Sequence, residues 1–141
     1  MPEVLTLTRP ETPMGRIVAP VRIDSTQDPA KTIQCDALVD TGSAYMVLPV
    51  AWKQRLAPFQ STQSVQVETA AQETAAAELC GPVRIQIEGF RPIYTEVLFL
   101  EMRPKGGVYE PLVGYLVLEQ SLAAVDMVGH RLIPIRHVDL K

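Results

Sequence analysis

The sequence is poor in cysteine, in excess charge of one sign and in long apolar runs, and each shortage excludes a class of protein. Two cysteines among 141 residues cannot build a disulfide-rich secreted scaffold. Thirteen basic and sixteen acidic residues give a net charge of −3, which argues against a nucleic-acid-binding surface. The longest apolar runs, such as residues 97–100 (VLFL), have only the length of a strand, so we expect no membrane-spanning helix.

Metal ligands and targeting signals are also scarce. Cys35, Cys80, His130 and His137 have a spacing that fits no zinc pattern, so the sequence predicts no metal site. The start of the chain has no basic segment followed by a long apolar stretch, and we therefore expect no signal peptide. Reduced, unbridged cysteines and a cytoplasmic location are the corresponding expectations.

Many short β-patterns are present, in a chain that is 47% apolar and 21% charged. This composition and length predict one folded domain, at residues 15–141, after a flexible arm at residues 1–14 that is rich in proline and threonine. Strand patterns occupy residues 17–23, 32–39, 65–67, 83–87 and 92–100, and a last hairpin is predicted with arms at residues 125–128 and 132–135. Helical patterns are confined to residues 51–56 and 115–122.

Residues 70–79 are ambiguous. Their alanines and glutamates favour helix, but their position between two alternating segments favours the arm of a hairpin, which we prefer. With this choice the chain is all-β, with one or two short helices. The sequence thus predicts a small, mainly antiparallel β-barrel or sandwich.

The most informative position is Asp40, which follows an apolar strand and opens a tight turn. Residues 37–39 (ALV) precede it, Thr41, Gly42 and Ser43 follow, and a second apolar run continues to residue 49. An isolated buried carboxylate is costly, so such a group has either a partner or a function. The alternative is an ordinary Asx-type turn in which Thr41 and Gly42 are simple turn residues.

Two motifs resemble those of the retropepsin-like aspartic proteases, the single-lobed branch that includes retroviral proteases and bacterial relatives. They are residues 38–43 (LVDTGS) and residues 112–114 (LVG), the latter followed by a short helix; the closing residues 124–134 also look like the end of bacterial members. The resemblance spans roughly residues 15–136. It implies a small closed antiparallel β-barrel with a flap hairpin over the site.

The resemblance also implies an activity, that of an aspartic endopeptidase. A chain of this length carries one Asp-Thr-Gly motif, so the second carboxylate would come from Asp40 of another copy, and the active site would lie on the two-fold axis of a homodimer. The pair would activate a water molecule that attacks a peptide bond of an extended substrate. No metal or organic cofactor, nucleic acid or membrane is implied.

By resemblance, the catalytic turn consists of Asp40, Thr41 and Gly42. Thr41 would form a hydrogen bond across the axis, and Gly42 would allow a sharp turn and a close approach of substrate. Ser43 would donate a hydrogen bond to the outer carboxylate oxygen of Asp40. Leu112, Val113 and Gly114 would support this turn from beside it.

The resemblance assigns substrate contacts to Tyr45 and to a flap tip formed by Ala70, Ala71, Gln72 and Glu73. Flap tips often contain glycine, because such turns commonly need a positive φ, yet no glycine occurs between Gly42 and Gly81. The sequence therefore leaves open a longer turn, a partly helical flap, or a noncatalytic dimeric peptide-binding module on the same fold.

A second departure concerns the dimer. Tyr115 stands where retroviral enzymes have an arginine that supports their dimer, so this dimer would be held differently. Residues 132–140 are a candidate for a dimer-forming segment.

Overall fold

The computed structural model describes residues 16–68 and 71–136, which fold into short strands and two short helices. The helices are a 3₁₀-helix (Val50–Arg55) and α1 (Tyr115–Gln120). The strands are β1 (Val18–Ser25), β2 (Thr32–Val39), β3 (Met46–Pro49), β4 (Ser61–Glu68), β5 (Thr74–Ile87), β6 (Ile93–Leu100), β7 (Leu112–Val113), β8 (Ala123–Asp126) and β9 (Arg131–Pro134). The predicted arm at residues 1–14 lies outside the described residues.

Six of the strands close into a ring. The order is β1-β2-β7-β3-β6-β5, and β5 returns to pair with β1, while β4 extends the sheet from the other end of β5. Most pairs are antiparallel, but β2 pairs with β7 and β3 pairs with β6 in parallel. The predicted all-β barrel with two short helices is confirmed, and the sheet is mixed rather than purely antiparallel.

The interior of the ring is built largely by alternation along the strands. In β1, and in β5 from Val83 to Ile87, every second residue is buried, and Ile23, Val83 and Ile85 are fully buried. This period of two is the pattern by which a sheet buries one face and exposes the other. Phe99 of β6 is the largest fully buried side chain of the described residues. The ring is therefore a packed core that can hold loops at its edge in fixed positions.

The hairpin preferred for residues 70–79 is present, because β4 and β5 pair from Ser61 with Gly81 to Glu68 with Thr74. The alanine-rich part of β5 is strand despite its helical propensity, since pairing on β4 and packing on the barrel decide its conformation. Cys80 is buried and Cys35 half-buried, and neither is in a disulfide. Burial raises the pKa of the Cys35 thiol to about 11.

The last hairpin is present, but its predicted boundaries are wrong. Its arms are β8 and β9 rather than residues 125–128 and 132–135. The Asp126 carboxylate accepts hydrogen bonds from the N–H groups of Val128 (3.1 Å) and Gly129 (2.9 Å), which turns the chain earlier than hydrophobicity suggests. An aspartate that binds the backbone two or three residues ahead is a turn former. The helix predicted for residues 115–122 likewise ends earlier, at Gln120.

In the part of the chain that the structure describes, no helix has the length and apolar character needed to cross a membrane.

Candidate active site

The turn that carries Asp40 lies at the end of β2 and is fixed by its own backbone. The Asp40 N–H donates to the Val113 carbonyl (2.9 Å), and the Ser43 N–H donates to the Asp40 carbonyl (3.1 Å). The Asp40 Oδ1 atom accepts the N–H of Gly42 at 3.0 Å. Asp40 is half-buried, whereas Thr41 and Gly42 are exposed. The carboxylate is thus oriented by the backbone and remains accessible to solvent or substrate.

Residues 112–114 lie directly beside this turn. Strand β7 pairs in parallel with the end of β2, with Leu112 opposite Leu38 and Val113 opposite Val39. The chain then reaches Gly114, where an added Cβ would lie 2.6 Å from both the Ala44 carbonyl carbon and the Ser43 carbonyl oxygen. No side chain fits there, because real Cβ atoms do not approach backbone so closely. Gly114 therefore lets β7 and the Asp40 turn meet.

The start of α1 completes the support. The Tyr115 N–H donates to the Ser43 carbonyl (2.8 Å), and the Leu116 N–H donates to the Ala44 carbonyl (3.0 Å). The first N–H groups of a helix have no partner within the helix, so the residues after the Asp40 turn satisfy them. Three elements, β2, β7 and α1, thereby hold one short turn.

Ser43 is placed differently from the expectation. Its hydroxyl donates to the Tyr45 carbonyl at 3.2 Å rather than to the Asp40 carboxylate. The Asp40 Oδ1 atom is instead engaged by the Gly42 N–H. In the single chain, Ser43 thus fixes the backbone that leaves the turn.

The hairpin formed by β4 and β5 is the predicted flap, and we use that name for it. A small apolar cluster, separate from the main core, lies between the Asp40 turn and this flap. We call it the apolar floor. Its buried members come from β3, β5 and β6, and half-buried residues from the turn, the flap, β7 and the end of β6 pack on them. The cluster comprises Val47, Ala77, Leu79 and Leu98, with Tyr45, Val65, Val67, Leu100, Met102 and Leu112 around them.

The apolar floor contains two residues that the sequence predicted for the site, Tyr45 and Leu112. Its other members were not among the predicted site residues. Val65 pairs with Ala77, and directly paired residues project on the same face of a hairpin. The alternation of Val65 and Val67 with polar residues already marks an apolar flap face in the sequence. The surface on which this flap face packs is formed by the pairing of β3 with β6, which the sequence does not indicate.

The predicted flap tip lies between the end of β4 at Glu68 and the start of β5 at Thr74. Thr69 and Ala70 lie outside the described residues, and Ala71, Gln72 and Glu73 are exposed. Gln72 has a φ of 63°, so a residue other than glycine takes the left-handed conformation. The missing tip glycine has thus not prevented a flap hairpin.

The chemistry available in one chain is limited to a single oriented carboxylate over an apolar surface. Within residues 16–68 and 71–136, no group of histidine, cysteine, aspartate and glutamate could hold a metal ion. General acid and general base roles at a peptide bond need two proton-carrying groups, or one used twice. The turn of one chain supplies one such group, the oriented carboxylate of Asp40.

Comparison with known proteins agrees with this geometry at the level of the fold. No family model and no curated protein sequence matches the chain. Among solved structures, the chain is similar to EIAV protease complexed with the inhibitor HBY-793, with a TM-score of 0.52 and 22% sequence identity. The match covers 74% of this chain and 86% of the protease chain. The fold is therefore retropepsin-like.

Proposed function

We propose that this protein is a homodimeric aspartic endopeptidase whose active site contains Asp40 from each copy. The observation that carries the proposal is the Asp40 turn itself. Its carboxylate is oriented by the Gly42 N–H, and its backbone is braced by Gly114 and the start of α1. Such bracing on three elements exceeds what an ordinary surface turn between two strands requires. The retropepsin-like fold of the chain supports the proposal.

In the proposed dimer, a two-fold axis passes between the two Asp40 turns. Two carboxylates a few Å apart share one proton, because both cannot easily ionise; the aspartic proteases are themselves the standard example of this effect. The exposed Thr41 of each turn is then available for a hydrogen bond to the partner's turn. An isologous interface of this kind makes catalysis depend on dimer formation.

The reaction begins with a water molecule held between the two carboxyl groups. The ionised carboxylate takes a proton from the water, and the oxygen attacks the peptide carbonyl carbon. The protonated carboxyl donates a hydrogen bond to the carbonyl oxygen, which stabilises the charge that develops there. Transfer of a proton to the amide nitrogen then breaks the C–N bond and releases an acid and an amine. The chain's own residues suffice for each step.

The substrate is proposed to be an extended peptide that lies over the Asp40 turn, beneath the flap and against the apolar floor. Extended peptides bind by adding main-chain hydrogen bonds to exposed strand edges, while alternate side chains enter pockets. The half-buried Tyr45 and Leu112 offer apolar surface next to the Asp40 turn. Peptides with apolar side chains around the scissile bond are therefore the expected substrates.

The alternative is a noncatalytic dimeric module that binds peptides. The tip geometry gives it a specific basis, since Gln72 rather than glycine occupies the left-handed position and could restrict closure of the flap. Both functions use the same fold and dimer. They differ only in whether a bound peptide is cleaved.

The test is Asp40→Asn against Asp36→Asn. Asp36 lies on the same strand but is exposed on the outer face of the barrel, so its variant controls for loss of a carboxylate. Cleavage of a mixed peptide library would be followed from acidic to neutral pH at several protein concentrations. We expect Asp40→Asn to lower kcat at least about 10²-fold, the scale of general acid–base catalysis, while dimer mass is kept.

Wild-type activity should also fall faster than linearly on dilution if two copies share the site. Full activity in Asp40→Asn would exclude the mechanism. A wild-type dimer that binds peptides and cleaves none would favour the binding module instead.

A further inference from the structure

The flap leaves the barrel at a defined point on β5. From Ala77 onward β5 pairs with β6, beginning with Ala77 opposite Leu100. In the described residues, the preceding segment Thr74, Ala75 and Ala76 pairs with β4 alone. A strand that pairs with only one neighbour can bend at the point where pairing with a second strand begins. Ala76 and Ala77 thus form the root of the flap.

An ion pair lies next to this root. The Lys53 Nζ atom is 2.6 Å from Glu78 Oε1, and the two side chains are only 23% and 34% exposed. Glu78 lies one residue past the root, where β5 also pairs with β6, and it is opposite both Ser64 and Phe99; it therefore projects from the outer face at the base of the flap, away from the apolar floor. The hydrogen bond to Glu78 outweighs burial and raises the pKa of Lys53. The Lys53 ammonium therefore stays charged through the neutral range.

The two partners belong to elements that are attached to the barrel in different ways. Lys53 lies in the 3₁₀-helix, which follows β3 without a loop and ends at Arg55, directly before the fully buried Leu56. The Lys31 ammonium donates to the carbonyls of Gln54 (3.3 Å) and Ala57 (2.5 Å), which fixes the end of this helix. Because β3 begins three residues after Ser43, the helix is a rigid extension of the Asp40 turn.

A cavity of about 440 Å³ lies behind the root. Its walls are the outer face of the flap, with Ser64, Gln66 and Ala76, and the adjoining barrel residues Val50, Phe99 and Glu101. Such a space leaves the outer face of the flap poorly supported by packing. The Lys53–Glu78 pair spans the same region and is a direct charged link between the helix and the flap.

We propose that Lys53 and Glu78 form a positioning pair that sets the angle of the flap relative to the Asp40 turn. The expected effect of the pair on peptide cleavage rests on the proposed function. Its effect on the position of the flap does not. The pair touches neither the reacting atoms nor the apolar floor. It acts through the flap, and so should govern peptide binding more than bond cleavage.

The experiment compares Lys53→Met, Glu78→Gln and the reversed double variant K53E/E78K. Amide hydrogen exchange of residues 61–79 is measured without substrate, and KM and kcat are measured with a cleaved peptide. We expect each single variant to raise exchange in the flap and to raise KM about two- to fivefold, the range for a partly exposed ion pair. The value of kcat should change less than about twofold, and the reversed pair should restore both readouts.

The matched control is Arg131→Gln, which breaks the ion pair with Asp126 (3.1 Å) in the β8–β9 hairpin, away from the flap. It should leave flap exchange and KM unchanged. Trp52, the single tryptophan of the sequence, lies beside Lys53 and reports by fluorescence whether the helix itself has moved.

Unchanged flap exchange in both single variants would overturn the positioning role, as would an equal rise throughout the barrel strands. If the wild-type protein cleaves no peptide, the proposed function fails, and hydrogen exchange still decides whether the pair positions the flap.

Discussion

The Asp40 turn and the flap tip are both exposed connections between strands, but they are held in opposite ways. The turn is tied to β7 and α1 by backbone hydrogen bonds, including Asp40 to Val113 and Tyr115 to Ser43. The tip, with Gln72 and Glu73 exposed, extends from a hairpin whose outer part pairs within itself.

The difference shows how one small fold can meet two requirements. A catalytic carboxylate must be placed within a fraction of an ångström, which favours a turn fixed by several elements. A cover over a peptide must open and close, and regions that move are drawn from the least stable part of a structure.

The largest effect is expected from Gly114→Ala. The new methyl group would collide with the backbone of Ser43 and Ala44, so either the turn or β7 must move. Overpacking against backbone of this kind should lower the free energy of unfolding by about 3 kcal/mol. Urea unfolding measures the loss, and peptide cleavage should disappear with the displaced turn.

Gly42→Ala is the matched control for stability, because its Cβ would lie 3.2 Å from the Asp40 Oδ1 atom and meet no backbone as closely. We expect a loss below about 1 kcal/mol. Equal losses in the two variants would show that Gly114 is not the point where the turn is braced.

The second prediction compares the barrel with the flap through the same substitution. Val83 is fully buried in the part of β5 that belongs to the barrel, whereas Val67 is half-buried on the flap. Val83→Ala leaves a cavity in a closed core and should cost about 2–3 kcal/mol, while Val67→Ala should cost about 0.5 kcal/mol. Urea midpoints with unchanged slopes would measure both.

A Val67→Ala variant as destabilised as Val83→Ala would mean that the flap folds as part of the core. In that case the contrast between the two regions would be lost. The peptide-binding assay adds a second test, since Val67 belongs to the apolar floor and its truncation should weaken binding more than stability.

The rigid region was the easier one to predict from the sequence. Asp40 sits between two apolar runs, and residues 112–114 have the same apolar-apolar-glycine pattern that the resemblance associates with the turn. Both signals are local, so they survive without knowledge of the tertiary structure. The alternation around Val65 and Ile85 likewise predicted strands that the structure contains.

Features that depend on distant residues were not predictable. The parallel pairing of β3 with β6 joins residues about fifty positions apart, and no local pattern specifies it. The Lys53–Glu78 pair and the apolar floor follow from that pairing. The early end of β8 depends on a side-chain hydrogen bond of Asp126, which competes with the hydrophobicity of Met127 and Val128.

The smallest effect is expected at the flap tip, from Gln72→Gly compared with Gln66→Gly. A left-handed conformation costs a non-glycine residue about 1 kcal/mol, which glycine would relieve, but glycine also gains a similar entropy in the unfolded chain. The two terms nearly cancel, so Gln72→Gly should change the free energy of unfolding by less than about 0.5 kcal/mol. Gln66 lies within β4 in ordinary strand conformation. Glycine relieves no strain there, so it should only lower the free energy of unfolding, by about 0.5–1 kcal/mol.

Peptide binding tests whether the conformation of Gln72 affects the movement of the flap. If the left-handed Gln72 restricts the tip, glycine there should speed flap opening and raise the dissociation rate of a bound peptide without loss of stability. A destabilisation equal to that of Gln66→Gly would show instead that the Gln72 side chain makes contacts that hold the tip. The flap would then be a structured cover, and the difference between the two loops would lie in their exposure rather than in their freedom to move.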